Sequence, residues 1–156
     1  MTSELVLDPG ARRLLAEARR ATLATIRPDG SPRLVPICFA LHPTTAILYS
    51  SLDEKPKRIG DAHELARVRD IVRDPRVAVL VDRWDEDWTQ LAWLRCDGIA
   101  TLLEPVAGEG EREDGDERAS AIEALRRRYQ PYAGHDLESR PILRIEIART
   151  TAWGDR

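Results

Sequence analysis

Two serines, Ser50 and Ser51, are followed within a few residues by three cations, Lys55, Lys57 and Arg58. The hydroxyls sit at the end of a strand-like run and the cations gather where a helix is expected to begin. A phosphate calls for charge-assisted donors, and a helix N-terminus adds aligned backbone N–H groups to them. An ordinary basic helix face has the same composition, so the residues alone leave both readings open. Val35, Pro36 and Ile37 form a second feature, a proline inside a strand. Proline cannot donate to a ladder, so it marks an edge strand or one that leaves its sheet. Backbone groups freed there either meet a flat heterocycle or simply form a bare edge. The third feature is the group Trp84, Trp88 and Trp93 with Arg95. Tryptophan is costly to expose, which predicts a core, a pocket or a subunit contact. Strand alternation puts Trp93 and Arg95 on one face, where the arginine suits an anionic ligand or an interface ion pair equally.

Other catalytic signatures are missing. The chain has no GxSxG elbow, no GxxxxGK[ST] phosphate loop, no GxGxxG after a strand and no HExxH. His42, His63 and His135 are scattered and read as surface or turn residues. Asp85, Glu86 and Asp87 lack a ligand partner at a known spacing and read as a solvated loop. Cys38 and Cys96, the two cysteines, fall in apolar strand-like runs and are expected as buried free thiols.

The elements that must position these residues follow from pattern. Asp8 and Pro9 cap a first helix that is predicted to end near Arg20. Thr22–Ile26 and Arg33–Leu41 flank the turn-rich Arg27–Pro32 as a hairpin, and Thr45–Ser51 adds a third strand, predicting an antiparallel meander. A helix is expected from about Pro56 to Val72, stopped by Asp74-Pro75. The run Val77–Val81 is apolar enough to predict burial on both faces. Leu91–Leu103 reads as a long strand with a bulge or bend at Asp97-Gly98. An acidic loop, Glu109–Glu117, leads to a helix over about Glu117–Tyr129, and a last strand covers Ile142 to about Ile147.

The chain has 156 residues, a size that suits one domain spanning 1–156. Its formal net charge of −3 and the lack of interleaved basic and aromatic residues argue against a nucleic-acid partner. No apolar run is long enough to span a bilayer and the start has no secretory pattern, so a cytoplasmic protein with no membrane partner is expected.

The run Thr22–Pro32 (TLATIRPDGSP), followed by Val35-Pro36 and Phe39, resembles the opening hairpin of the pyridoxamine 5′-phosphate oxidase-like split-barrel proteins. Lys55-Pro56-Lys57-Arg58, Arg73–Asp82 (RDPRVAVLVD) and Arg95–Ala100 (RCDGIA) follow in register. Trp84–Trp88 and Trp153 look most like the actinobacterial-type branch described as F420-dependent. The resemblance runs from about Leu14 to Trp153 and departs at Gly60-Asp61-Ala62-His63, where relatives commonly carry an Asn-Leu pair. It implies a six-stranded antiparallel split β-barrel with flanking helices, mainly β or α+β, forming a homodimer with cofactor sites between subunits. Ser50, Ser51, Lys55, Lys57 and Arg58 would hold a phosphate. Arg33 and the backbone of Val35, Pro36 and Ile37 would face the ring system, and Trp88 and Arg95 would approach from the dimer side. Arg67, Arg69, Arg73 and Arg76 would meet a polyglutamate tail. The implied activity is hydride transfer between coenzyme F420 and a small unsaturated or quinone-like molecule. FMN in an oxidase or reductase of the same fold is the alternative cofactor, and a cofactor or haem carrier the non-enzymatic alternative.

Overall fold

The computed structural model describes residues 4–52, 61–105 and 112–156, with backbone alone at 112–114. Three helices are α1 (Pro9–Glu17), α2 (Ala66–Arg73) and α3 (Arg112–Arg128). Seven strands are β1 (Ala21–Ile26), β2 (Pro32–Ile37), β3 (Ala40–Leu41), β4 (Ile47–Ser51), β5 (Arg76–Arg83), β6 (Ala92–Leu103) and β7 (Ile142–Gly154). They form one antiparallel sheet in the order β2-β1-β5-β6-β7-β4-β3.

That order settles the shape. Strands β2 and β3 lie at opposite edges, yet only Cys38 and Phe39 separate them in the chain. Three Cα steps reach at most about 11 Å, whereas seven strands laid flat would hold their outer members roughly 29 Å apart. The sheet must therefore curl until its edges approach. The result is a barrel split between β2 and β3.

Local chemistry explains most of the elements. Asp8 Oδ1 accepts from the Ala11 amide at 2.8 Å, and Pro9 opens α1. The helix ends at Glu17 rather than near Arg20, because Ala18 turns to extended backbone and leads directly into β1. In the β1–β2 turn Gly30 has φ of 84°, which suits a residue without Cβ. The expected strand Arg33–Leu41 breaks in two, so the sheet has seven strands and the meander gives way to two hairpins at opposite edges. Pro36 falls on the edge strand β2, as its missing donor requires.

Other expectations shift as well. The helix predicted over Pro56–Val72 is found as α2 from Ala66, after a 3-10 turn at Ala62–Glu64 capped by Asp61. Residues 53–60 lie outside the described residues. The last helix begins at Arg112, within the stretch expected as an acidic loop. Strand β5 is buried on one face alone, with Leu80 exposed at 41%, because among the described residues no helix covers the other side there.

Strand β7 runs to Gly154, well past Ile147. A bulge makes this extension productive. Gly98 pairs with Ile147 and Asp97 with Arg149, leaving Ala148 as the extra residue opposite the expected Asp97-Gly98 irregularity. Leu143, Ile145 and Ile147 face the barrel interior before it, and Ala152 packs against the same core after it. A Cβ on Gly98 would stand 2.3 Å from the Glu146 carbonyl oxygen, so the close approach of the strands needs glycine.

The interior holds Leu23, Phe39, Leu48, Val79, Leu94 and Ile145, all fully buried, closed by Ala11, Leu14 and Leu15 of α1. A second core lies on the outer face at the far end of β6 and β7. There Tyr49, Leu103 and Ile142 pack against Ala121, Ile122 and Leu125 of α3.

Candidate functional site

Chain crossover at Cys38–Phe39 brings β2 beside the end of β4. Ser50 Oγ donates to the Cys38 carbonyl at 2.7 Å, and Ser51 Oγ donates to the Tyr132 hydroxyl at 2.6 Å. Both serines are buried, so their hydroxyls brace the split in the barrel in this arrangement. The crossover itself is held by Tyr129, whose hydroxyl bonds both the N–H and the carbonyl of Phe39 at 3.1 Å. Lys55, Lys57 and Arg58 lie outside the described residues. Among the described residues that follow them, α2 begins at Ala66, further along the chain.

On β2 the side chains of Arg33, Val35 and Ile37 turn inward while Pro32, Leu34 and Pro36 are exposed. Arg33 sits directly opposite Thr25 of β1. Its Nε lies 2.7 Å from Asp70 Oδ2 of α2, and Thr25 Oγ1 donates to the same oxygen at 2.8 Å. Asp70 is 2% exposed. Burial alone would raise its pKa, yet hydrogen bonds from Arg33 and Thr25 and the arginine charge together hold it below the usual carboxylate value. Among the described residues nothing bonds the Nη atoms of Arg33.

Trp88 and Arg95 are elsewhere. Trp88 opens a 3-10 turn at Trp88–Gln90 and is 69% exposed. Arg95 stands on the outer face of β6, 3.3 Å from Thr151 Oγ1 and 3.5 Å from Asp97. Its register neighbour Leu80 is followed across β1 and β2 by Thr22 and Pro36, the side opposite Arg33. A single chain therefore does not bring Arg95 together with Arg33.

Among the described residues nothing covers that outer face, and much of it is apolar. Leu34, Leu80 and Ile99 are 67%, 41% and 44% exposed. A depression of about 510 Å³ runs over it, lined by Ala24, Ile26, Pro32, Ala78, Ile99 and Arg149. Trp84 and Trp93, with Trp153, border a second hollow of about 370 Å³, while Trp88 lies outside it. Cys96 is buried, and burial with the nearby Asp97 charge pushes its thiol up to about 12, whereas Cys38 is half-buried. Both are free thiols. His42 accepts the Thr44 and Thr45 amides in a turn. Arg73 and Arg76 are engaged locally, by Asp70 and the Ile26 carbonyl and by Asp74 respectively.

Residues the sequence did not mark include Asp70 and Tyr132, and Tyr129 reads there only as an inner-face position of the last helix. Asp70 had one signal available, a carboxylate between Val68 and Ile71 on the apolar side of a helix, where a charge needs a partner.

A curled antiparallel sheet that opens between β2 and β3, with helices at its ends, defines a split-barrel protein. The pyridoxamine 5′-phosphate oxidase family matches residues 7–154, and the chain belongs to that family. Among solved structures, a conserved hypothetical protein of Mycobacterium tuberculosis, Rv2991, is similar at a TM-score of 0.68 and 21% identity, covering 99% of this chain and 91% of that one. An FAD-binding protein of Mesorhizobium loti is similar at 0.64 and 19%, covering 95% of each chain. An F420 reductase is similar at 0.60 and 22%, covering 93% and 98%. At these identities the likeness shows the fold.

Proposed function

We propose that this chain is a cytoplasmic, homodimeric oxidoreductase that uses coenzyme F420 to reduce a small unsaturated or quinone-like molecule. The observation that carries the reading is Arg33, an inward-facing cation on the split edge of a barrel from this family, with its terminal nitrogens unbonded among the described residues. The choice of cofactor follows the resemblance of Trp84–Trp88 and Trp153 to the F420-dependent branch, and an F420 reductase is among the proteins that share this fold. Arg33 and the backbone at Val35, Pro36 and Ile37 would face the ring. Lys55, Lys57 and Arg58 would hold the phosphate, with Ser50 and Ser51 beside them. The bound cofactor would supply the hydride; the protein's part is placement and local electrostatics. Exposed Trp88, and Arg95 on the other side of the sheet from Arg33, would serve the site of a second copy. The bare apolar face bearing Leu34, Leu80 and Ile99 supports such a contact. Among the described residues no helix is long and apolar enough to cross a membrane.

Titration of the chain with coenzyme F420, FMN and haemin, followed by tryptophan fluorescence, tests the reading. Tighter binding of F420 is expected, with oxidation of the reduced cofactor accelerated by a quinone acceptor. The Lys57→Ala/Arg58→Ala double variant should bind more weakly by about 2–4 kcal/mol, at roughly 1.5–3 per charge-assisted contact without full additivity. Preferential binding of FMN that survives dialysis would overturn the deazaflavin choice. Preferential haemin binding without turnover would overturn the enzyme.

A further inference from the structure

Asp70 is a buried carboxylate that joins three elements. It belongs to α2, takes Thr25 of β1 at 2.8 Å and Arg33 of β2 at 2.7 Å, and has Arg73 Nη2 at 3.4 Å from its second oxygen. As a fastening alone this is a poor choice. Desolvating two charges consumes most of their attraction, and an apolar pair of similar volume fastens a hairpin to a helix at least as well. The geometry of the contact adds a second point. Asp70 engages Arg33 through Nε, which fixes the plane of the guanidinium and leaves both Nη groups unbonded among the described residues. With its side chain 29% exposed, Arg33 keeps that outer edge within reach of a ligand. Lysine could not do both tasks, since its ammonium is a single point charge without a second donor edge.

We propose that Asp70 is a positioning residue, which grips Arg33 by Nε so that its two Nη donors are presented to an anionic or carbonyl-rich edge of the bound ring system. The proposal rests on the reading that β2 faces the cofactor ring. Thr25 completes the grip by occupying the same carboxylate oxygen, so Asp70 cannot rotate away without losing a buried bond.

The experiment measures affinity for coenzyme F420 and for FMN, by tryptophan fluorescence, in Arg33→Gln, Arg33→Lys, Asp70→Asn and the Asp70→Asn/Arg33→Gln double variant. Folding of each is checked by circular dichroism. Arg33→Gln should weaken the preferred cofactor about tenfold to a hundredfold, the range for a lost charge-assisted bond. Asp70→Asn should weaken it about tenfold, and the double variant should bind no worse than Arg33→Gln. A purely structural aspartate would instead impose the same loss in either background, and that result overturns the proposal. Wild-type affinity in Asp70→Asn, with Arg33→Gln impaired, overturns it as well. Wild-type affinity in Arg33→Gln overturns the placement of the ring against β2 and the proposal with it. Should Asp70→Asn fail to fold, Arg33→Lys decides. It keeps a countercharge for Asp70 yet should bind as poorly as Arg33→Gln, and wild-type affinity there refutes the role.

Discussion

Replacing Tyr129 by phenylalanine removes one oxygen and leaves the ring packing in place. The ring keeps its edge-on contact with Tyr132 at 5.6 Å and the Arg19 guanidinium at 4.7 Å. What goes is a hydroxyl that accepts from the Phe39 amide and donates towards the carbonyl of Phe39 or Arg19, each at 3.1 Å. Phe39 is fully buried, so its N–H would stay inside without that partner. An unsatisfied buried donor costs about 1–3 kcal/mol, and the carbonyl adds to it, giving about 2–3 kcal/mol for the substitution. At about 2–4 °C per kcal/mol for a chain of this size, the melting temperature should fall by roughly 4–12 °C. Urea unfolding should show a lower midpoint at unchanged slope, because the unfolded chain exposes the same surface. A loss below about 0.5 kcal/mol, the range of an inert surface change, would refute the claim that this hydroxyl holds the crossover.

Two further outcomes concern pH and assembly. His63 Nδ1 lies 2.6 Å from Asp61 and Nε2 lies 2.7 Å from Glu104, and these two carboxylates, the Glu104 bond foremost, raise its pKa above 6.5. The folded state therefore favours the charged ring; the stabilisation is complete below pH 6.5 and is lost as pH rises through the raised value. Glu104→Gln should lower the melting temperature at pH 6 and have less effect at pH 9, and an equal effect at both would refute the pairing. Leu80→Glu places a charge in the centre of the bare sheet face, and sedimentation velocity should show monomers where the parent chain shows dimers. A parent chain that sediments as a monomer would remove that face as a self-contact.

Much of the framework was legible because its signals are local. Asp8-Pro9 fixes a helix start, Asp29-Gly30 a turn and Pro36 an edge, each through the backbone of the residue itself. Asp97-Gly98 marked a bulge or bend, although the extra residue, Ala148, sits on the partner where sequence gives no sign. The break at Cys38–Phe39 was hidden because Phe39 is held by Tyr129, ninety positions away. Likewise, Ser50 and Ser51 read as open donors until Cys38 and Tyr132 were seen to accept from them. Asp70 shows the same limit from the other side. It went unmarked on an apolar helix face because Thr25 and Arg33, which justify its charge, come from another hairpin.

The bulge at Ala148 has a consequence for how the molecule holds together. Because the bulge shifts the register without ending the pairing, strands β6 and β7 stay partnered from the Ala92–Gly154 pair to the Leu103–Ile142 pair. Near the first end they furnish one wall of the barrel interior; at the other their outer side is the floor on which α3 rests. The two hydrophobic compartments thus share a common partition, and neither owns it. Melting the barrel would strip α3 of its floor, and peeling α3 away would wet the back of the barrel wall. These two oily interiors are thus built to come apart as one piece.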